Sequence, residues 1–483
     1  MSGLLRLLPD EPEPAHDLAL APAPARHRPR WATDPIDELA GELAAVCAAA
    51  VHPDEIAAVL EADGLTGEQI AERYGRADAF DLAAELFARV PRGHPEPEPA
   101  PDPWKVKPGQ FLLRSLVFTL PGFGYALGSP LLAGGQDRFG LPAGTGALIA
   151  SALVAWAWNQ ALAHRAYLRL AAGGRGAAAR CLGVGAPLGA LLATGAAAAL
   201  PAPPGALAFA AGQVLYLAAA TSLLVLGRER LLLLALLPTA TGGVVVLLTE
   251  PPPVVGVVLL LATAGGALFA AGYEIARARR AEAPQAGPGT LPLGASVPYG
   301  LFGLGCGVLT TIAALGDVLV RHPGGAGGPV VLALTLSMGV AEWLLYRCRG
   351  LALAALAAST STGGLLLRVG RVLTLCVAGY LAALAALTLG VSALWPGDPT
   401  PSGPRLTALL ALGAVLWTGL LLQAYGFGWL PALLCLGAAG AETAALALRI
   451  SAPATDQLVI CTGAAAGLLA AATVLLGRIT THR

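Results

Sequence analysis

The acidic residues inside long apolar runs are the first candidates for chemistry in this sequence. Glu442, in GAAGAETAALAL, lies within an apolar run from 428 to 448, about 20 Å along a helix axis from its start. A charge at such depth costs about 2.5–3.5 kcal/mol on insertion scales and usually marks function. Two interpretations stay open: a proton- or cation-titrating or substrate-contacting site, and a carboxyl that joins two helices.

A second acidic residue, Glu342 in SMGVAEWLLYRCRG, precedes Arg347 by five positions. This spacing favours a structural or gating role near a membrane surface over transport chemistry. Gln213 and Gln423 are single amides within apolar runs, which is typical of interhelical hydrogen bonds. Asn159 and Gln160, in AWAWNQALAHR, lie near the end of a run and fit the membrane interface. The candidates for the wall of a cavity are Asn159, Gln160, Gln213, Gln423 and Arg114.

Composition places these residues in a polytopic membrane protein. Of the 483 residues 56% are hydrophobic and 12% charged, and mean hydropathy is +0.68, whereas a soluble domain carries about 25% charged residues. The formal net charge of zero gives no global case for nucleic acid. The seven cysteines form no CxxC pair and no metal-ligand spacing, so we expect neither a disulfide framework nor a metal or other cofactor.

Apolar runs long enough to cross a bilayer repeat from residue 111 onward. We place about twelve helices, which predicts an all-α fold, at 111–132, 143–163, 182–201, 205–226, 231–249, 254–274, 296–316, 329–346, 372–395, 406–425, 428–448 and 455–477. With the N-terminus inside, one side of the membrane holds 18 Lys and Arg and the other holds four. The excess predicts cytoplasmic N- and C-termini in a multi-pass protein of a bacterial inner membrane.

Prolines and glycines interrupt the first and seventh of these runs. Pro121 and Pro130 lie in PGFGYALGSP, and Pro298 opens VPYGLFGLGCG. Broken helices at matching positions of two halves indicate a transport path, so we interpret the three prolines as hinges. The halves are 111–280 and 296–483, joined by a cytoplasmic linker at 281–295. Close helix packing is the other interpretation of the glycines.

The segment before the membrane region has a different character. Residues 1–32 read as a disordered Pro/Ala-rich tail, 33–92 as a small soluble helical bundle, and 93–110 as a Pro-rich linker. The capping box TGEQ at 66–69 predicts the start of one helix. Residues 33–92 hold 13 Asp and Glu against four Arg, which argues against nucleic acid and favours docking to a cytoplasmic protein.

The twelve spans, the six-plus-six halves and the stretches LPGFGYALG and VPYGLFGLG resemble the multidrug/oligosaccharidyl-lipid/polysaccharide flippase superfamily over roughly 111–478. The resemblance implies two lobes that open alternately to either side and move a lipid-linked glycan or an amphipathic solute. Only Arg114 lies near the mouth of span one, which disfavours an anionic pyrophosphate lipid. GGQDRFG at 134–140 is similar to a loop signature of the major facilitator superfamily, although it follows the first span instead of the second.

The sequence therefore predicts a transporter of flippase or exporter type, embedded in the lipid bilayer, with a polysaccharide, lipid-linked glycan or amphipathic solute as substrate. One alternative is a non-transporting scaffold or sensor that recruits a partner through residues 33–92, and a second is a major facilitator-type transporter. An enzyme is not expected, because the sequence has no HExxH, no GxSxG, no paired aspartates at a span and no phosphate-binding loop.

Overall fold

The computed structural model describes residues 34–91, 93, 108–132, 135–137, 139–249, 251–281, 292–320, 328–395 and 401–478. The tail at 1–32 lies outside the described residues, as do most of the linkers at 93–110 and 281–295. The chain divides into two compact units, Met1–Pro101 and Asp102–Arg483.

Local capping signals define the helices of the first unit. These are α1 (Pro35–Glu42), α2 (Ala44–Ala49), α3 (Pro53–Ala62), α4 (Gly67–Tyr74) and α5 (Ala79–Arg89). The Asp34 carboxylate accepts from the backbone N–H of Ile36 at 3.1 Å and caps α1. Thr66 and Gln69 form the reciprocal capping box at the start of α4, as the sequence predicts.

The first unit has a hydrophobic core of its own, in which Ile56, Leu60 and Leu82 are fully buried. At its surface Arg89 pairs with Asp37 at 2.6 Å, with Glu85 at 2.9 Å and with Asp34 at 3.0 Å. These hydrogen bonds, that to Asp34 most of all, raise the pKa of the Arg89 guanidinium above its ordinary value. The cluster ties α1 to α5, because Arg89 pairs with residues 52 and 55 positions earlier in the sequence.

The second unit is built from apolar helices, and its described residues contain one isolated β-bridge but no strand. The first half comprises α6 (Pro108–Thr119), α7 (Phe123–Gly128), α8 (Thr145–Ala198), α9 (Pro204–Val225), α10 (Glu229–Leu248) and α11 (Pro253–Ala281). The second half comprises α12 (Val297–Leu319), α13 (Gly328–Ala357), α14 (Thr362–Leu394), α15 (Gly403–Ala424), α16 (Trp429–Leu448) and α17 (Pro453–Leu476).

Eleven helical segments of the described chain are long and apolar enough to span a membrane. One of them, α8, has 54 residues and would reach about 81 Å if straight, against a hydrocarbon core of about 30 Å. It breaks at Gly173 and Gly174, where Gly174 takes a φ of 68°. The two arms, 145–172 and 175–198, are therefore two crossings, which confirms the prediction of about twelve.

The three prolines that the sequence suggests as hinges lie in two kinds of structure. Pro121 and Pro130 lie in the short 3₁₀ segments Leu120–Gly122 and Ser129–Leu132, so the first span is interrupted twice. Pro298 lies in the first turn of α12, where a missing N–H costs no helical hydrogen bond. The expectation that Pro298 breaks the seventh span is therefore wrong. The prolines inside helices are Pro187 in α8 and Pro238 in α10.

Residues 350–366, whose place the apolar pattern leaves open, continue the neighbouring helices. The helix α13 extends to Ala357, and α14 begins at Thr362 with the Ser361 hydroxyl as its cap. Arg349 of α13 donates to the carbonyl of Ala424 at 3.0 Å and covers the ring of Tyr425. The turn after α15, which has no basic residue of its own, thus receives a positive charge from α13.

The buried residues separate into cores that follow the two halves. The largest cluster draws only on α12 to α17, with Trp417 fully buried inside it. Three smaller clusters draw on the helices of the first half. The halves meet where α12 packs on α8 and where α13 packs on α6. This arrangement matches the predicted two six-helix halves. The α8–α12 and α6–α13 contacts form the interface between them.

Candidate functional site

An ion-pair cluster connects the two halves at the α6–α13 contact. Arg114 of α6 lies between two carboxylates, Glu229 at the start of α10 and Glu342 in α13. Its Nε donates to Glu229 Oε1 at 2.7 Å, and its second terminal nitrogen lies 2.6 Å from the same oxygen. Its remaining nitrogen pairs with Glu342 Oε1. We call Arg114, Glu229 and Glu342 the triad.

The positions of the three side chains follow from their elements. Glu229 is the first residue of α10, where a carboxylate interacts favourably with the positive end of the helix dipole. The guanidinium of Arg114 is a planar fork that serves two acceptors at once. The side chains of Glu229 and Glu342 are 14% and 19% exposed, so their pairing with Arg114 is only partly screened by water. The triad has one positive and two negative groups, and each carboxylate depends on Arg114.

A cavity of about 260 Å³ lies beside the triad and between the halves. Aromatic and aliphatic side chains form most of its wall, and the triad supplies its charges. The wall comes from both halves: Arg114, Phe118, Tyr167, Leu224, Glu229, Met338, Ala341, Glu342, Leu345 and Leu420. An apolar wall with a charged patch suits a molecule that has both apolar and polar parts.

A glycine face on α12 forms the second contact between the halves. A methyl group on Gly300 would lie 3.0 Å from the Ala157 carbonyl oxygen of α8, and one on Gly303 would lie 2.9 Å from Gln160 Cγ. One on Gly307 would meet Leu153 at 2.6 Å. Small residues allow helix backbones to approach closely, so the glycines of VPYGLFGLGCG serve close packing.

This contact continues toward the end of the bundle that is rich in arginine, which we call the basic end. There the His164 ring stacks on Tyr299 with centroids 3.6 Å apart, and its Nδ1 lies 3.1 Å from the Ser296 hydroxyl. The triad lies beside the same end, because Glu229 directly follows the α9–α10 turn with Arg228. The halves are therefore joined at the basic end by two independent contacts.

Glu442 lies inside the second half. Its side chain is only 2% exposed, on a helix, α16, that packs against α12 and α17. Its Oε1 accepts from the Cys461 thiol of α17 at 3.1 Å, and its Oε2 is buried without a hydrogen-bond partner. Glu442 does not line the cavity beside the triad. Of the two interpretations of Glu442, this geometry favours a carboxyl that joins two helices.

The polar candidates are dispersed. Gln160 packs on Gly303 at the contact between the halves, and Asn159 beside it is half-buried. Gln213 accepts from the Tyr125 hydroxyl at 2.9 Å, between α7 and α9 of the first half. The Gln423 Nε2 is buried without a hydrogen-bond partner. Of the seven polar and charged candidates, the structure thus brings only Arg114 and Glu342 directly together.

Two acidic residues escaped the sequence interpretation. Glu229 lies between Arg228 and Arg230 in GRER, which is typical of a solvated helix end. Glu274 is buried at 4% exposure and accepts from Arg228 Nε at 2.8 Å. The signal that could have found them is charge balance, because acidic residues among many arginines at one end of the bundle are expected to form ion pairs with them. In the described residues no three His, Cys, Asp or Glu side chains are grouped so that they could hold a metal ion.

Comparison with known proteins found similarity among solved structures. No family model matches the chain, and no curated protein matches it either. Among solved structures, the fold is similar to the inward-facing conformation of a multidrug resistance MATE family transporter of the MOP superfamily. The similarity covers 78% of this chain and 94% of that one, with a TM-score of 0.40 and 13% identity.

Proposed function

We propose that this protein is a membrane transporter of flippase or exporter type that works by alternating access. The observation that carries the proposal is the cavity between the halves, together with the triad that joins the halves beside it. A cavity bounded by two separately packed halves changes its access when the halves rock against each other.

The triad suits a closure that opens repeatedly. Arg114 and Glu229 belong to the first half and Glu342 to the second, so within the triad a separation of the halves breaks only the Arg114–Glu342 pair. Arg114 keeps its hydrogen bonds to Glu229 throughout. A buried charge that loses its last partner costs far more free energy than an ion pair that separates into water. Because Arg114 keeps Glu229 as a partner, the free-energy cost of opening is lower. Glu342 then faces the widened cavity and its water.

The proposed substrate is an amphipathic molecule, in keeping with the apolar wall and the charges at the triad. A polysaccharide or lipid-linked glycan is the finer form of this proposal. The proposal includes a bacterial inner membrane with cytoplasmic termini, and Pro121 and Pro130 as flexible points of the first span. It assigns no reaction and no cofactor to the chain.

For Glu442 we propose the role of a carboxyl that joins α16 to α17. Its bond to Cys461 and its burial support this role. The test is thiol labelling of Glu442→Cys in intact membranes with a membrane-impermeant maleimide, with exposed Leu394→Cys as the reactive control. We expect labelling of position 394 and none of position 442. Labelling of position 442 from either side would restore its assignment to a water-filled path.

The alternative function is a scaffold that recruits a cytoplasmic partner through its acidic first unit. The observation in its favour is that this unit has its own core and fixed ion pairs. In a scaffold the halves stay in one arrangement, whereas in a transporter they exchange between two. The major facilitator alternative rests on GGQDRFG, where the Asp137 carboxylate accepts from the backbone N–H groups of Phe139 and Leu141 and so stabilises a turn.

Spin-label distances separate transporter from scaffold without a known substrate. Six of the seven cysteines are buried, so only Cys181 needs replacement by serine. One label pair, Arg230→Cys with Arg347→Cys, reports on the basic end, and the pair Leu200→Cys with Leu394→Cys reports on the opposite end; all four positions are exposed. We expect Arg114→Ala to populate a longer distance at the basic end and a shorter one at the opposite end.

The matched control is Arg368→Ala, an exposed arginine of α14 outside the triad, which should leave both distributions unchanged. A single unchanged distance at both ends in the Arg114→Ala protein would contradict alternating access and favour the scaffold.

A further inference from the structure

A second cavity, of about 680 Å³, lies at the basic end beside the two arms of α8. Its third wall is the 3₁₀ turn that precedes α12, with Leu293 and Ser296, together with Val297 at the start of α12. No residue of the triad lines it, so it is separate from the cavity between the halves described above.

The charge of this cavity is positive. Arg165 and Arg169 of the first arm and Arg180 of the second line it, and no Asp or Glu is found among its described lining residues. Arg165 also donates to the Pro292 carbonyl at 3.5 Å. Because α12 begins at this wall, the positive end of its dipole adds to the attraction for an anion.

The lining residues are arranged in the same order on both arms. Arg169 and Arg180 lie close to the Gly173–Gly174 break, whereas Trp158 lies about 17 Å and Leu188 about 12 Å farther along their helices. Val184 and Leu188 are 68% and 45% exposed, as expected of side chains that face hydrocarbon. The cavity is thus cationic at the membrane surface and apolar below it.

We propose that this cavity binds an anionic phospholipid. The phosphate lies at Arg169 and Arg180, and the acyl chains pack along Trp158, Val184 and Leu188. Basic pockets between membrane helices on the side rich in arginine bind such headgroups, and the apolar wall distinguishes a lipid from a free phosphate ion. The occupant touches α8 of the first half and Val297 of the second, so it strengthens the contact at the basic end. The proposal does not depend on transport.

Native mass spectrometry of the detergent-solubilised full chain tests this directly. The probes are phosphatidylglycerol and phosphatidylcholine with the same acyl chains, and inorganic phosphate as a competitor. We expect preferential retention of phosphatidylglycerol, and a loss of that preference by about fivefold for each arginine removed in Arg169→Gln and Arg180→Gln. The matched control is Arg368→Gln with Arg371→Gln, two exposed arginines of α14 outside the cavity.

Two further measurements keep the result interpretable. Ala172→Glu places a carboxylate at an exposed lining position and leaves every arginine in place; it should weaken phosphatidylglycerol binding as well. In a protein whose other cysteines are replaced, phosphatidylglycerol should slow maleimide labelling of Cys181, which lines the cavity, while phosphatidylcholine should not. Equal retention of both lipids, an equal loss in the control, or displacement by inorganic phosphate at similar concentration would overturn the proposal.

Discussion

At the scale of single residues, the triad is unusual because one arginine serves two carboxylates. Glu229 and Glu342 approach each other only because Arg114 lies between them. Loss of the arginine therefore does more than remove two ion pairs, since it leaves two partly buried like charges facing each other. Loss of either carboxylate leaves a neutral pair in place.

This asymmetry gives a prediction for stability. Arg114→Ala should lower the free energy of unfolding by about 1–3 kcal/mol, whereas Glu342→Gln should lower it by about 1 kcal/mol or less, because the triad is partly exposed. The combined change Glu229→Gln and Glu342→Gln should recover part of the loss in the Arg114→Ala protein, because it removes the repulsion. Denaturant-induced unfolding in mixed micelles measures all three.

The control for this series is Arg368→Ala, which removes an exposed arginine outside the triad. If the double glutamine change adds to the loss instead of reducing it, repulsion between the carboxylates is not the source of the effect.

At the scale of the elements, the glycine face of α12 sets how closely the halves approach. Gly303→Leu should separate α12 from α8, because even a methyl group meets Gln160 at 2.9 Å. Overpacking of this kind costs about 1–3 kcal/mol, and it should lengthen the basic-end distance between spin labels. Gly440→Leu on α16 is the matched control, since a methyl group there meets nothing within 4 Å. An equal response in both proteins would show that leucine itself, and not the contact, is responsible.

The elements also show what the sequence could and could not predict. The length of the apolar runs was enough to locate the spans, because a segment that crosses lipid must satisfy its backbone hydrogen bonds internally and therefore forms a helix. The Gly173–Gly174 break was harder to place, since glycines occur throughout the chain, 61 in all. The prediction that Pro298 breaks its span was wrong because a proline disrupts a helix only beyond the first turn. The sequence placed the start of this span at residue 296, whereas α12 begins at Val297, so Pro298 lies in that first turn.

The triad was only partly predictable for a related reason. Arg114 and Glu342 stood out because both are charged residues near or within apolar runs. Glu229 did not, since its bond to Arg114 links positions 115 residues apart in sequence, and such pairings are not encoded in local patterns. Glu442 illustrates the opposite case: its burial was predictable from its position, but its orientation toward α17 was not.

At the scale of the whole molecule, the first unit is held together by its own core. Cys47 lies in this core with no exposed surface, and burial raises the pKa of its thiol. A fragment of residues 33–92 should therefore fold alone, with Cys47 protected from a thiol reagent by about a hundredfold or more relative to the unfolded fragment. The measurement is the labelling rate with and without denaturant, compared with circular dichroism.

The control is the fragment Val51→Cys with Cys47→Ser, because Val51 is 71% exposed and its thiol should react equally fast in both conditions. Rapid reaction of Cys47 in a buffer where the fragment is helical would show that the unit needs the rest of the chain for its packing.

The glycine face also bears on the speed of movement. When a contact between long side chains forms, each side chain loses the freedom to change rotamer, and this loss of conformational entropy opposes the contact. Gly300, Gly303 and Gly307 have no rotamers to lose, so in the proposed alternating-access mechanism the α12 side of this contact adds no such entropy cost. In that mechanism the Arg114–Glu342 ion pair contributes to the activation barrier, so the opening rate should rise with ionic strength.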